Sequence, residues 1–332
     1  MCYFNALRGR GRPHDNRPRL ARPALPLGPT NLMSNSPSVE ITGDQNAPVL
    51  TPTEIDISDE EFAALSLLVY EQTGICLPKA KRPLLKSRLL KRLLYLEQHS
   101  FAQYYEYLKY YDPQKDELQE MINAITTNKT SFFRERHHFD YLREKILVPA
   151  CRSAGLGRRP SLRFWSAGCS SGEEPYSIAI TVATALERLP AWDIKILASD
   201  IDTEMLDKAS AGIYPRDAVT ELPPAVVKEH FLAGTGDYED FVRVKPALRS
   251  LITFGRINLM DAQWPFHGKF DAIFCRNVII YFDRNSQQQV LRHFAQYLVP
   301  EGIFFAGHSE NLHWFGDLFE PIGQTVYRLR SS

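Results

Sequence analysis

Residues 164–176, Phe-Trp-Ser-Ala-Gly-Cys-Ser-Ser-Gly-Glu-Glu-Pro-Tyr, change within a few positions from apolar to small to acidic. The apolar start predicts a buried strand, and Gly168 and Gly172 let the backbone turn tightly beside a ligand. Glu173 and Glu174, followed by a proline, suit the first turn of a helix. Such strand, loop and helix units commonly hold nucleotide cofactors. Strand and helix signals go on alternating from residue 161 onward, which predicts a doubly wound, Rossmann-like α/β domain.

The acidic residues indicate which kind of cofactor this loop holds. Its Gly-x-x-x-Gly spacing differs from the Gly-x-Gly-x-x-Gly of dinucleotide sites. Two carboxylates at the start of a helix also disfavour a pyrophosphate, which would use the positive helix end. We therefore expect a cofactor with cationic groups, such as the sulfonium and ammonium of S-adenosyl-L-methionine.

Composition excludes several classes of protein. The 332 residues include 39 Lys and Arg and 39 Asp and Glu, so no overall field favours nucleic acid or a membrane surface. The five cysteines are scattered without a Cys-x-x-Cys pair, which predicts reduced thiols and no metal site. No apolar run reaches the roughly 20 residues of a membrane-spanning helix. We expect a soluble, cytoplasmic monomer.

Composition also divides the chain into four parts. The arginine-rich and proline-rich residues 1–50 are expected to be disordered, or to lie partly before a true start at Met33. Residues 56–127 carry helical patterns and predict an all-α domain. Residues 128–160 form a linker and a connecting helix, and residues 161–332 form the α/β domain.

The second predicted helix, residues 80–97, is unusually basic. Its leucines form an apolar stripe, and Lys and Arg residues cover the remaining surface. Few acids are interleaved along the helix to pair with these bases. Two interpretations stay open, a solvated helix face and a docking surface for an acidic partner.

Polar residues follow several predicted strands at one edge of the sheet. The strands are expected at 161–167, 194–199, 252–257, 270–275, 302–307 and 325–329. Asp200 ends the second strand, where a carboxylate can accept hydrogen bonds from ribose hydroxyls, and Asp202 is expected to cap the next helix. Asn258, whose amide and backbone suit an adenine edge, and the pair Arg276 and Asn277 follow later strands. Together these residues predict one crevice.

The segment 128–134 joins the two domains. Arg134 stands beside two phenylalanines, so it can stack in the domain seam or present its donors to a carboxylate in a cleft, and we favour the cleft. His137 and His138 are expected to face solvent at the next helix start, since the sequence offers no evident third metal ligand.

Five motifs in order resemble the CheR-type chemotaxis receptor glutamate O-methyltransferases. They are Thr-Thr-Asn-x-Thr-x-Phe-Phe-Arg (126–134), Trp-Ser-Ala-Gly-Cys-Ser-Ser-Gly-Glu-Glu-Pro-Tyr-Ser (165–177), Ala-Ser-Asp-Ile-Asp-Thr (198–203), Phe-Cys-Arg-Asn-Val-Ile-Ile-Tyr-Phe (274–282) and Gly-His-Ser-Glu (307–310). The resemblance covers roughly residues 56–330. It implies S-adenosyl-L-methionine as methyl donor and glutamates of membrane chemoreceptors as acceptors, which become methyl esters in sensory adaptation.

The resemblance also implies the site residues. By position, the cofactor-binding residues are Asn128, Thr130, Arg134, Glu173, Glu174, Asp200, Asn258, Leu259, Arg276 and Asn277. The sequence does not decide which of Glu173 and Glu174 meets the methionine amino group. For catalysis we expect Arg134 to orient the acceptor carboxylate and Tyr281 to place its hydroxyl near the methyl group or the acceptor oxygen.

Two partner surfaces follow from the same resemblance. An antiparallel β subdomain is expected at about 212–250, with a hairpin around Gly234-Thr-Gly236, and in some family members this subdomain binds a tethering peptide at the receptor C-terminus. The basic second helix would contact the glutamate-rich receptor helices.

Three other classes compete with this interpretation. A nicotinamide-dependent oxidoreductase would share the sheet, but it requires tighter glycine spacing and a proton-transfer residue, for which His308 is the candidate. A methyltransferase for nucleic acid or small molecules would use the same crevice, although the neutral charge and the lack of an Asn-Pro-Pro-Tyr-like motif oppose it. A binding module without activity would keep every motif.

Overall fold

The computed structural model describes residues 55–153, 160–186 and 192–330, so the expectation for residues 1–50 lies outside the described residues. The helices in these ranges are α1 Asp59–Thr73, α2 Arg82–Tyr95, α3 Phe101–Glu106, α4 Asp116–Ile125, α5 His137–Tyr141, α6 Val148–Ser153, α7 Glu173–Ala185, α8 Thr203–Ala211, α9 Pro224–His230, α10 Pro246–Arg249 and α11 Arg284–Tyr297. The strands are β1 Ser161–Ala167, β2 Asp193–Asp200, β3 Ile213–Pro215, β4 Phe231–Ala233, β5 Phe241–Val244, β6 Ile252–Arg256, β7 Phe270–Cys275, β8 Leu298–Ala306, β9 Phe319–Gly323 and β10 Val326–Leu329.

Helices α1 to α4 form the all-α domain that the sequence predicts. At the start of α1, Ser58 and Glu61 bond reciprocally to each other's backbone N–H groups, and Gly74 ends the helix in a left-handed conformation with φ 73°. The buried stripe of α2, Leu85, Leu89 and Leu93, packs into the core of this domain. Burial of these leucines supplies much of the free energy that holds the helices together.

The main sheet has seven strands in the order β6-β2-β1-β7-β8-β10-β9. The first five of these strands run parallel, and β10 pairs antiparallel with both β8 and β9. One core cluster packs α7 and the β subdomain on one face, and a second packs α11 on the other. The predicted doubly wound α/β sheet is therefore confirmed.

The small sheet is inserted between α8 and β6. Its order is β3-β5-β4, with antiparallel pairing throughout, so the predicted hairpin is confirmed as the pair β4 and β5. The sequence analysis missed β9 and began β8 four residues late. Both strands lie where polar and turn-forming residues interrupt the apolar pattern, for example Pro300-Glu301-Gly302 in β8.

The helical domain covers the carboxyl edge of the parallel strands. Gln119 of α4 donates to the carbonyl of Ile201, with 2.9 Å between Nε2 and O. Asn123 donates to Thr203 Oγ1 at 2.9 Å, at the start of α8. These contacts fix the domain over the sheet edge where parallel strands commonly bind ligands.

Candidate active site

A cavity lies between the carboxyl edge of the sheet and the helical domain. All the predicted site residues except Glu173 line it: Asn128, Thr130, Arg134, Glu174, Asp200, Asn258, Leu259, Arg276, Asn277 and Tyr281. The fold therefore brings together residues that are up to 153 positions apart in the chain, from Asn128 to Tyr281. We call the side of this cavity that carries Glu174, Asp200 and Arg276 the floor, and the side that carries Lys81, Lys129, Arg134 and Tyr281 the rim.

The loop after β1 approaches the cavity with its backbone. Gly168 and Gly172 have φ values of 84° and 100°, which favour glycine. A Cβ atom on Gly168 would lie 2.3 Å from Val278 Cγ2, so no other residue fits there without a shift. The backbone N–H groups of Gly168 and Cys169 both donate to the carbonyl of Ser199, which ties the loop to β2.

Asp200 is buried at the end of β2, where its carboxylate accepts two backbone N–H groups. Ser170 N lies 2.7 Å from Oδ2, and Asp202 N lies 3.0 Å from Oδ1. Burial raises the pKa of Asp200, and these two hydrogen bonds partly oppose the rise. Asp202 caps α8 by accepting from Met205 N at 3.1 Å, so its predicted capping role is confirmed.

The two glutamates of α7 have different surroundings. Glu174 accepts from Ser166 Oγ at 2.7 Å and from Arg276 Nη1 at 3.0 Å, and it lines the cavity. Glu173 accepts from Ser171 Oγ at 2.7 Å and does not line it. Burial raises the pKa of both carboxyls, and Arg276 counters the rise at Glu174. The geometry thus singles out Glu174 as the glutamate of the floor.

Asn258 fixes a turn at the cavity wall. Its Nδ2 donates to the carbonyl of Gln72 in α1 at 2.7 Å, and its Oδ1 accepts from Met260 N at 3.0 Å. The side-chain amide that the sequence analysis assigned to an adenine edge is therefore engaged in bonds within the protein. These bonds hold Asn258 and Leu259 against the cavity and connect the sheet to α1.

Arg134 and Tyr281 reach the cavity from different elements. Arg134 Nη1 donates to the carbonyl of Lys129 at 2.8 Å, which folds the segment 126–134 back on itself. The Tyr281 carbonyl accepts from Cys76 N at 2.8 Å. Glu310 binds the turn that leads to Tyr281, since its carboxylate accepts from Asn277 N at 2.8 Å and from Ile280 N at 3.3 Å.

Comparison with known proteins agrees with this geometry. Residues 128–328 match the family model described as the CheR methyltransferase SAM-binding domain, and residues 60–126 match the CheR methyltransferase all-alpha domain. Chemotaxis protein methyltransferase 2 of Pseudomonas aeruginosa is 45% identical over 283 residues, which are 85% of this chain and 97% of that protein. The chemotaxis protein methyltransferase of Escherichia coli is 44% identical over 287 residues, or 86% and 96% of the two chains.

The chain belongs to the CheR methyltransferase family. Its cofactor is S-adenosyl-L-methionine, and its reaction is a methylation in chemotaxis. The site fits this cofactor, because buried carboxylates at Glu174 and Asp200 suit an ammonium group and ribose hydroxyls, and the loop at Gly168 admits close backbone contact. Among solved structures, ChlM from Synechocystis with bound SAM has a TM-score of 0.31 at 18% identity, over 68% of this chain and 94% of that one.

The structure shows which acids accompany the basic helix in this CheR chain, and it leaves both interpretations of the helix open. Most bases on and before α2 are paired within the protein, by acids from other segments: Lys79 and Arg82 with Asp59, Lys86 with Asp56, and Arg92 with Glu117 and Glu120. Arg88 instead donates to the carbonyls of Ile125 and Thr126. The sequence analysis searched for acids along the helix itself and so missed partners that only the tertiary fold supplies.

The structure corrects the prediction for the histidines of α5. His138 is fully buried rather than solvent-facing, and His137 is half-buried. Glu135 also supplies the third ligand-type group that the sequence analysis did not find, because ligand atoms of Glu135, His137 and His138 lie within 4.8 Å of one another. Glu135 has a left-handed backbone, φ 56°, which no simple sequence signal predicts.

Several cavity residues were missed altogether. Ile75, Cys76 and Lys81 line the rim from the segment between α1 and α2, and Lys129 lines it from the connecting segment. No local motif marks them, since their role depends on how the helical domain sits on the sheet. In the three described ranges, none of the helices has the combination of length and apolar character needed to cross a bilayer.

Proposed function

We propose that this CheR protein is a cytoplasmic protein-glutamate O-methyltransferase that methylates glutamate side chains of membrane chemoreceptors. The products are glutamate methyl esters, which serve sensory adaptation. One observation carries the proposal: the cavity has an acidic floor, where the carboxylates of Glu174 and Asp200 outnumber the guanidinium of Arg276, and a cationic rim, formed by Lys81, Lys129 and Arg134. This division suits a cationic methyl donor and an anionic acceptor.

The floor residues would hold the cofactor. We assign the methionine ammonium to Glu174 and the ribose hydroxyls to Asp200, because both carboxylates are buried at the sheet edge. The turn of Asn258 and Leu259 would take the adenine. The remaining cofactor contacts are proposed at Asn128, Thr130, Arg134, Arg276 and Asn277, and Glu174 is favoured over Glu173 because Glu174 lines the cavity.

The rim residues would position the acceptor. Arg134 presents a guanidinium fork that can orient a carboxylate, and Tyr281, which lines the same cavity, would place its hydroxyl near the methyl group or the acceptor oxygen. When bound, S-adenosyl-L-methionine supplies an electrophilic methyl group. A glutamate with a pKa of about 4.3 is already ionised at neutral pH, so the protein needs no strong base and acts chiefly by alignment.

Two surfaces outside the cavity would bind the receptor. Strands β3 and β4 form the two edges of the small sheet, with Ile213 and Leu232 exposed, so either edge can accept an added strand of a C-terminal tethering peptide. Glutamate-rich receptor helices would contact the rim, where Lys81 and Lys129 form no ion pair with any of the described residues. The proposed enzyme acts as a monomer.

The test is methyl transfer with a readout for esters. The purified protein is incubated with methyl-labelled S-adenosyl-L-methionine and receptor-containing membranes, and labelled methanol is collected after mild alkali. We expect alkali-labile label on a receptor-sized band with the parent protein and with Glu144→Gln, a control at an exposed residue that does not line the cavity. Label that survives alkali would indicate a nitrogen acceptor and contradict the proposal.

A further inference from the structure

Arg276 is enclosed by two carboxylates. Its side chain is only 2% exposed, and its Nη1 lies 3.0 Å from Glu174 Oε2 while its Nη2 lies 3.3 Å from Glu135 Oε2. Nη2 also donates to the carbonyl of Arg134. One guanidinium cannot neutralise two ionised carboxylates, so this buried group carries a net negative charge beside the cavity.

Glu135 is held in place from three directions. Its backbone is left-handed, with φ 56°, a conformation that a residue with a side chain adopts only when its surroundings fix it. Oε1 accepts from the backbone N–H of His308 at 3.0 Å, and Oε2 faces Arg276 and His138. Glu135 therefore connects the segment 126–134, the turn after β7 and the loop after β8.

His138 does not neutralise Glu135. Its Nδ1 lies 3.5 Å from Glu135 Oε2, and its Nε2 lies 3.3 Å from the carbonyl of Gln324, which can only accept. Nε2 also lies 3.0 Å from Thr325 Oγ1, so the ring is bonded to the segment 324–325. Burial, helped by the charge of Arg276, lowers the pKa of His138 to about 2, and the ring stays neutral. The positive partner of Glu135 is Arg276.

The same atoms do not favour a metal ion. Glu135, His137 and His138 bring possible ligand atoms within 4.8 Å of one another, but the guanidinium of Arg276 already lies against the carboxylate. A bound cation would meet this positive charge at short range, which disfavours binding. The geometry instead favours a role for Glu135 that acts through Arg276.

We propose that Glu135 is a positioning residue of the cofactor site: it shares Arg276 with Glu174 and holds the guanidinium where Arg276 in turn positions Glu174 for the cationic end of the cofactor. The proposal rests on the assignment of Glu174 and Arg276 to cofactor binding. It adds a residue that does not line the cavity itself.

The test is Glu135→Gln, which keeps the size of the side chain and an acceptor for His308 N but removes the charge. Binding of S-adenosyl-L-homocysteine is measured by calorimetry, with Glu144→Gln as the matched control on an exposed position of the connecting helix. We expect affinity to fall about five- to tenfold in Glu135→Gln and to stay unchanged in the control. In steady-state kinetics, KM for the cofactor rises while KM for the acceptor does not.

A double-mutant cycle separates positioning from a general structural role. If Glu135 acts through Arg276, then Glu135→Gln has no further effect on affinity in an Arg276→Gln background. If the fold-losses in affinity of Glu135→Gln and Arg276→Gln multiply in the double variant, the two residues act independently and the proposal is overturned. Unchanged affinity in Glu135→Gln alone would also overturn it. Thermal unfolding of each variant identifies any that fails to fold, in which case Glu135→Asp and Arg276→Lys replace the pair.

Variants of Glu174 and Arg276 test separately whether these two residues bind the cofactor at all. If Glu174→Gln and Arg276→Gln bind S-adenosyl-L-homocysteine as tightly as the parent protein does, the placement of the cofactor on this floor is wrong. If those two variants weaken binding and Glu135→Gln does not, only the role of Glu135 is wrong.

Discussion

The floor and the rim of the cavity are built in different ways. The floor consists of buried carboxylates and backbone turns at strand ends, with Asp200 fixed by two N–H groups and Glu174 fixed by Ser166 and Arg276. The rim carries long cationic side chains, and Lys81 and Lys129 are exposed. A rigid, acidic floor suits one invariable cofactor, whereas a more flexible, cationic rim suits acidic acceptors in varied surroundings.

The strongest test of the rigid floor is Gly168→Ala. The added Cβ meets Val278 Cγ2 at 2.3 Å, and the residue must keep φ 84°. We expect the free energy of unfolding to fall by about 3 kcal/mol, from overpacking and the left-handed backbone together. The control is Gly236→Ala, where φ is 59° but a Cβ meets nothing within 4 Å, so only about 1 kcal/mol is lost.

Urea unfolding measures both glycine variants. Equal decreases in the free energy of unfolding would show that Val278 moves away from the added Cβ at little cost. The floor would then be less rigid than we describe. A larger loss at Gly168 together with weaker cofactor binding would support a preorganised loop.

Arg134 tests the junction between floor and rim. We expect Arg134→Ala to lower kcat/KM for the acceptor by about 100-fold, because a misplaced carboxylate loses alignment with the methyl group. Single-turnover methyl transfer at saturating cofactor measures the effect. Transfer at the parent rate with normal cofactor affinity would remove Arg134 from the mechanism.

Asp200 tests the floor alone. We expect Asp200→Asn to weaken binding of S-adenosyl-L-homocysteine by about thirtyfold, since hydrogen bonds to a charged acceptor are the strong ones. Asp207→Asn, on an exposed position of α8, is the control and should bind like the parent. Equal affinity in both variants would contradict the ribose assignment.

The floor also predicts a direction for the pH dependence of binding. Burial raises the pKa of Asp200 and of Glu174, so these carboxyls take up protons at higher pH than ordinary acids, whose pKa values are about 3.9 and 4.3. Because the ionised forms bind the cofactor, affinity should fall as the pH is lowered toward this range. Calorimetry at several pH values measures this fall in cofactor affinity, and the affinity of Asp200→Asn should depend less on pH than that of the parent. An affinity that rises on acidification would contradict the assignment.

The smallest expected effects belong to the rim lysines. Lys81→Ala and Lys129→Ala should each raise KM for the acceptor about threefold at low salt, because exposed charges contribute modestly and are screened. Cofactor affinity should not change. Lys91→Ala, on an exposed part of α2 away from the cavity, is the control. A loss of cofactor affinity in the Lys81 or Lys129 variant would contradict the assignment of the rim lysines to the acceptor alone.

The contrast between floor and rim also explains which features the sequence could predict. Floor residues such as Asp200 and Arg276 follow apolar strand patterns directly, so strand periodicity alone places them at one edge. Lys81 reaches the cavity because the helical domain docks on the sheet edge, where Gln119 and Asn123 contact Ile201 and Thr203, and no local pattern encodes that docking. The burial of His138 depends in the same way on a contact with Gln324, 186 residues away.

The most direct test of the central claim compares acceptors. A receptor fragment with glutamates at its methylation positions and the same fragment with glutamines there are offered to the enzyme with methyl-labelled cofactor. The account predicts alkali-labile label on the glutamate fragment alone, since a cationic rim selects an ionised carboxylate. Equal label on the glutamine fragment, or label stable to alkali, would contradict it.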